Sequence, residues 1–389
     1  MPVPPEAGDA PHILMVSHYF EDHRGGIEIV AGRLARELAK IGYRISWAAT
    51  GERLDNPAWQ ALPLRAWNGT EHAFGVPLPI PAPASAERLA KACASADAII
   101  VHDGLYPTSV VARLAGRRSR KPVMIVQHIG AVAYRNPLPR LLMRAANALI
   151  ARPMLRSANQ IVFISETTRA HFALPPHCPT ATVFNGVDVE TFRPAADCDE
   201  QLRKRVILGL PADKKIALFV GRFVEKKGLH WLRRLAERHD DMIWAFAGWG
   251  PIDPAEWKLP NVRLFRDLSG ASLAGLYRAA DLFTLPSIGE GFPLVVQEAL
   301  ASGLPVLCSD EVATADPGAA HLLQGVRLDE GEPEKTVAAL SDVVNRLASS
   351  PSNAAERHAF ACAHYSWASA AAQYDRLLRA MIHRPAGAA

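Results

Sequence analysis

The chain has 389 residues, 49% hydrophobic and 21% charged, the balance of a soluble globular protein long enough for two domains of roughly 150–200 residues. A net charge of +4 is too small to argue for nucleic acid, and no such partner is expected. The five cysteines, Cys93, Cys178, Cys198, Cys308 and Cys362, are scattered and form no CxxC pair, so neither a zinc site nor a disulfide framework is suggested.

Residues 1–11 are rich in Pro, Ala and Gly and lack a basic start followed by an apolar core; they read as a disordered lead, not a signal peptide. No uncharged apolar run reaches the roughly 18 residues of a membrane span, which points to a cytoplasmic protein whose membrane contact would be peripheral. Strands are predicted at 12–16, 44–49, 97–101, 123–127 and 161–164, with a helix at 27–41 and further helical segments between several of them. The pattern repeats with strands at 216–220, 243–247, 262–265, 282–285 and 306–308. Short apolar runs separated by amphipathic stretches argue for βα units and parallel sheets. Two series give an α/β protein of two doubly wound, Rossmann-like domains, 12–190 and 205–365, joined by a linker at 191–204. A Pro-rich loop is expected at 77–83, and one amphipathic helix within 366–385. Two such domains facing a central cleft would place ligands at the carboxyl ends of the strands.

The loops after those strands hold the candidate residues. Gly25-Gly26 precedes the first helix and would let a ligand approach backbone N–H groups, or is a plain flexible turn. His128 ends a strand, where a neutral imidazole would meet a sugar hydroxyl or serve the core. His18, His23, His102 and Asp103 match no metal-ligand spacing, and no metal site is expected. Gly221 to Gly228 follows a strand and carries Arg222 and Lys227, a planar fork and a compact charge able to grip a diphosphate; the alternative is a solvated basic loop. The segment 247–251, Ala-Gly-Trp-Gly-Pro, reads as turn chemistry only, and Asp197–Asp199 as a chance motif in the linker. The stretch 138–158 carries Arg140, Arg144, Arg152 and Arg156 among apolar residues, a face able to rest on anionic lipid or an ordinary helix with a core side.

The richest stretch is 287–300, where Glu290 and Glu298 stand eight apart across a loop that becomes a helix. Gly289 and Gly291 permit an unusual path around the first carboxylate. Pro293 suits the first helical position, leaving backbone N–H groups ahead of it for phosphate or sugar oxygens. Two acceptor-only groups beside an anion-friendly helix end suit a ligand with hydroxyls and phosphates, such as a sugar nucleotide.

Together, Asn185 to Pro194, the Val220-Gly-Arg…Lys227-Gly228 loop and Leu285-Pro-Ser…Glu290-Gly-Phe…Glu298-Ala-Leu-Ala-Ser-Gly303 resemble the family 4 glycosyltransferases, retaining enzymes of the GT-B fold with a Glu-x7-Glu motif. The resemblance covers most of the chain and is strongest from Phe184 onward. It implies that the C-terminal helix crosses back to the N-terminal domain. Glu298 would bind the ribose hydroxyls and Glu290 the hydroxyls of the transferred sugar. Arg222 and Lys227 would hold the diphosphate and stabilise its developing charge, with no divalent metal or other cofactor required. Gly25 and Gly26 would face phosphates and acceptor, and His128 the donor sugar. Pro293 stands where many members have Gly, so Gly291, Phe292, Leu294 and Val295 would supply backbone donors. Arg266 stands where a small residue is common after the base-pocket segment 262–268. The implied reaction moves a hexose-type sugar from a UDP- or GDP-sugar to a glycan or polyprenyl-linked acceptor, in bacterial cell-surface polysaccharide assembly. A non-catalytic GT-B scaffold subunit and a GT-B epimerase are the alternatives. The acceptor would be read at 21–24, 105–108 and 131–137.

Overall fold

The computed structural model describes residues 10–23, 25–52, 56–69, 78–130, 137–349 and 353–383. The chain divides into two compact units: residues 1–186 with 367–389, and residues 187–366.

The first unit is built on a parallel sheet of seven strands: β1 (His12–Tyr19), β2 (Arg44–Thr50), β3 (Gln60–Leu64), and, after the small antiparallel pair β4 (Ala66–Trp67) and β5 (Ile80–Pro81), β6 (Ala98–His102), β7 (Val123–Gln127), β8 (Gln160–Phe163) and β9 (Thr180–Thr182). Their order is β3-β2-β1-β6-β7-β8-β9. The β1 sequence is apolar on consecutive residues because both faces are covered. Ile13 and Met15 enter one core, and Leu14 and Val16 the other. The first core is roofed by the helix Gly26–Lys40, whose Ala31, Leu34, Ala35 and Leu38 make a stripe at helical spacing. The C-terminal helix Trp367–Ile382 packs on the same core through Tyr374, Leu378 and Met381. Each such side chain contributes about 1.5–3 kcal/mol on burial. Tyr43 Oη donates to Asp375 Oδ1 at 2.8 Å, fixing that helix in register.

The second unit has six parallel strands: β10 (Ile216–Val220), β11 (Ile243–Ala247), β12 (Val262–Phe265), β13 (Leu282–Leu285), β14 (Val306–Ser309) and β15 (Leu323–Val326). Their order is β12-β11-β10-β13-β14-β15. The strand order thus reverses between β1 and β6 in one unit and between β10 and β13 in the other, the points at which open α/β sheets bind ligands.

Several local expectations change. The unit boundary lies at Gly186/Val187, and the supposed linker 191–204 contains most of a helix, Cys198–Ile207, capped by Asp197 through Glu200 N. Asp197 is therefore a structural cap. The short edge strands β3, β9 and β15 escaped sequence reading because few residues in each are strongly apolar and fully buried. Within the Pro-rich loop, Ile80–Pro81 forms β5, and Pro83 opens a helix; residue 77 lies outside the described residues. His18 lies inside β1, which runs three residues longer than its apolar run. The basic stretch is three helical pieces, Pro137–Ala146, a wider π turn at Asn147–Ala151, and Arg152–Arg156. Pro293 is not the first helical residue. Its ψ of 135° is extended, so it caps the helix Leu294–Ala301 from outside.

Candidate functional site

In the second unit the chemistry gathers where the strand order reverses. After β10 the chain runs through Gly221 (φ 153°) and a helical turn, Glu225–Lys227, to Gly228 (φ 74°). A Cβ on Gly228 would overlap the Pro286 carbonyl at the end of β13, so glycine is what lets the two loops touch. Ile288 N then donates to the Lys226 carbonyl at 2.9 Å. This contact brings together residues that are distant in sequence: Lys227 Nζ donates to Glu290 Oε2 at 2.9 Å, and both side chains are only 13% exposed. Lys226 Nζ lies 3.1 Å from Glu290 Oε1, an ion pair without hydrogen-bond alignment. One carboxylate therefore faces two ammonium groups, and the cluster keeps a net positive charge.

Glu290 is held from behind by its own loop. Gly289 has φ 67° and its N–H donates to Glu311 Oε2 at 2.9 Å. That N–H is already engaged, leaving Gly291 and the start of the helix to offer backbone donors. Phe292 is buried, with its ring 5.5 Å from that of Tyr365, so it contributes backbone and core packing. Leu294 and Val295 open the helix, and the Val295 carbonyl accepts from Tyr277 Oη at 3.2 Å. Glu298 is the fifth residue of that helix, about one turn in. The same Tyr277 hydroxyl donates to its Oε2 at 2.9 Å. Burial raises the Glu298 carboxyl to about 7, with the Tyr277 bond opposing the shift. Glu290 and Glu298 thus occupy unlike settings, one against cations and one against a phenol.

Arg222 and Lys227 are held by different partners. The Arg222 guanidinium lies over the Trp249 ring, 5.0 Å from the centroid. The 247–251 segment is therefore more than a turn. Arg266 pairs with Asp253 at 2.7 Å, next to Asp267 at φ 58°.

In the first unit, the reversal between β1 and β6 holds a buried polar network. His18 Nε2 and His23 Nδ1 approach Glu28 Oε1 at 3.0 and 3.4 Å. Burial pushes the Glu28 carboxyl upward, but the His18 bond and charge outweigh it and leave the group below its ordinary value. The His18 ring stacks on Tyr106 at 3.8 Å. Glu28 folds back over Gly25, where any Cβ would overlap its carboxylate. Gly26 is the first residue of the helix, with open space where a Cβ would stand. Only the Gly25 position is thus sterically required. His128 is buried, and its Nε2 shares a 3.0 Å hydrogen bond with His102 Nδ1. Burial drives the His128 imidazole down to about 3, so it is neutral. Asp103, at φ 69°, accepts from Leu105 N, Ile129 N and Gln127 Nε2 and ties the ends of β6 and β7 together. Residues 131–136 and Arg24 lie outside the described residues. Among the described residues no three His, Cys, Asp or Glu side chains are grouped to hold a metal.

Sequence reasoning missed His18, Glu28 and Trp249 as parts of these clusters. The available signal was Glu28 on an otherwise apolar helix start directly after Gly25-Gly26. The tryptophan gave none beyond its flanking glycines.

Two family models divide the chain between them: Glycosyltransferase Family 4 matches residues 24–191, and Glycosyl transferases group 1 matches residues 200–361. The chain belongs to glycosyltransferase family 4. It is 37% identical over 126 residues to TuaC of Bacillus subtilis (strain 168), named for teichuronic acid biosynthesis, covering 32% of each chain. It is 34% identical over 233 residues to D-inositol 3-phosphate glycosyltransferase 2 of Catenulispora acidiphila, covering 54% of this chain and 52% of that one. The chain thus spans about a third to a half of the length of these relatives. Among solved structures, sucrose-phosphate synthase from Thermosynechococcus elongatus superposes with a TM-score of 0.73 at 20% identity, over 95% of this chain and 99% of that one. HepE of Anabaena in complex with UDP superposes at 0.71 and 16% identity, over 95% and 100%. At these identities the likeness shows the GT-B fold of this family 4 type protein.

Proposed function

We propose that this protein is a retaining glycosyltransferase that moves a hexose-type sugar from a UDP- or GDP-sugar to a glycan or polyprenyl-linked acceptor in cell-surface polysaccharide assembly. The observation that carries the reading is the Lys226–Lys227–Glu290 cluster at the sheet reversal of the second unit, with half-buried Glu298 one turn into the following helix. The HepE structures in complex with UDP and with UDP-glucose support a sugar-nucleotide donor.

The leaving group is a nucleoside diphosphate, so the demand on the protein is positive charge fixed in advance at the β-phosphate. Lys227 and Arg222 supply it, and no divalent metal is needed. As the bond from sugar C1 to the β-phosphate oxygen breaks, its electron pair passes to that oxygen. The acceptor oxygen bonds C1 from the same face, and its proton goes to the departing phosphate. Glu290 positions sugar hydroxyls. Glu298 accepts from the ribose hydroxyls.

The exposed Leu114, Leu149 and Ile150 line a surface groove with Arg113 and Arg117. We assign this face to peripheral contact with anionic lipid, which would bring a polyprenyl-linked acceptor to a cytoplasmic enzyme. Among the described residues no helix is long and apolar enough to cross a membrane. Co-flotation with phosphatidylglycerol vesicles but not phosphatidylcholine vesicles, lost in R113E/R117E, tests it.

The central test is incubation with a panel of UDP- and GDP-sugars, following slow hydrolysis and nucleotide release with and without EDTA. Turnover of one donor, insensitive to EDTA and abolished in Glu290→Gln, supports the reading. Tight nucleotide binding without turnover on any acceptor would favour the scaffold alternative.

A further inference from the structure

The lysines and the arginine of the donor loop are held in opposite ways. Lys226 and Lys227 lean on a carboxylate. Arg222 leans on an aromatic face, and no carboxylate partner of Arg222 occurs among the described residues. The Trp249 indole is 61% exposed, yet its place is fixed by the backbone around it. Gly248 (φ 147°) and Gly250 (φ 159°) flank it, and a Cβ on either would overlap the backbone of Gly221 or Phe223. Phe223 N donates to the Trp249 carbonyl at 2.7 Å, Gly221 N to the Ala247 carbonyl at 3.0 Å, and Ile252 N to the Phe223 carbonyl at 3.1 Å. The loops after β10 and β11 are thus zipped together, and the indole stands beside Arg222 as a consequence.

We propose that Trp249 is a positioning residue that holds the Arg222 guanidinium in place for a nucleoside diphosphate without neutralising it. This rests on the donor-site reading above. An aromatic face attracts a cation through its quadrupole and brings no net negative charge. An incoming diphosphate would therefore have no carboxylate to displace from Arg222. A glutamate at the same place would orient the guanidinium but cancel the charge needed. The planar fork of Arg stacks on a ring in a way a lysine does not, which fits the choice of Arg at this position.

The test is a double-mutant cycle read by titration with UDP and with GDP, following the quench of tryptophan fluorescence for the wild type and calorimetry for all variants. The expected result is that W249A weakens the tighter-binding nucleotide about fivefold, the worth of an exposed cation–π contact. W249F should restore most of that loss. R222A should weaken binding tenfold or more, and R222A/W249A no further, because the tryptophan acts only through the arginine. W249L, which keeps bulk but lacks the ring, should behave as W249A and carries the cycle if W249A does not fold. Additive losses in the double variant, unchanged binding in W249A and W249L, or failure of W249F to rescue would each overturn the proposal. If R222A binds normally while K227A does not, the proposal fails and the donor site stands. If the wild type binds neither nucleotide, both fail.

Discussion

The two sheet reversals are the same topological feature put to different uses. In the second unit it carries a net-positive cluster, Lys226, Lys227 and Glu290, with Arg222 exposed in the same loop as the lysines. In the first it carries a nearly closed network in which His18 and Glu28 are 3% and 2% exposed and His128 is neutral. Charge that is kept accessible serves a ligand with opposite charge. Charge that is paired and buried fixes a shape, and its removal is felt as instability. The second unit is therefore expected to respond to mutation in turnover, and the first in folding.

The largest effect should come from Lys227→Ala, with a loss of about 10²–10³ in donor turnover, the usual cost of removing one preorganised donor to developing negative charge. The melting temperature should move little. A variant that unfolds but, where folded, turns over normally would break the contrast. Glu28→Ala should do the reverse: about 3 kcal/mol of stability is lost in urea unfolding, because a buried histidine loses its charged partner. Nucleotide affinity should hold; a large drop in UDP or GDP affinity at unchanged stability would make Glu28 a ligand-site residue.

A smaller, pH-dependent effect belongs to Glu298. With its carboxyl near 7, the group is mostly protonated at pH 6 and mostly ionised at pH 8. Ribose hydroxyls need the acceptor form, so nucleotide affinity should rise roughly tenfold across that range and flatten in Glu298→Gln. Stability should move oppositely. A carboxyl raised in the folded state favours folding below its unfolded value, and that benefit is lost as pH rises through about 7. Binding that improves on acidification would sink the ribose assignment. Gly25→Ala should give the mildest change, a destabilisation of about 1 kcal/mol as the end of the Glu28 side chain is forced to move, visible as a lower urea midpoint.

Much of the site was legible because its parts are local. The Glu290–Glu298 spacing, the glycines of 221–228 and the position of both loops after strands follow from residues near one another in sequence. Where local rules were applied to a single residue they were less secure: Pro293 satisfies the same φ inside a helix or as its cap, and only ψ separates the two. The tryptophan at 249 looked like turn filling because nothing within a few residues tells which loop will lie beside it. The edge strands were missed for a related reason, since β9 and β15 earn their place by pairing with β8 and β14 and not by their own periodicity.

The sequence by itself determined two series of buried parallel strands, the loops that close them and the residue types those loops carry, because helix and strand periods are set by the backbone over short distances. The tertiary structure decided which of those residues meet. Lys227 reaches Glu290 across 63 positions, Arg222 is held by Trp249 and not by a carboxylate, and Glu28 faces β1 and not the solvent. Those partnerships depend on strand order in the sheet, which joins β10 to both β11 and β13, and strand order is a non-local choice that no local pattern encodes.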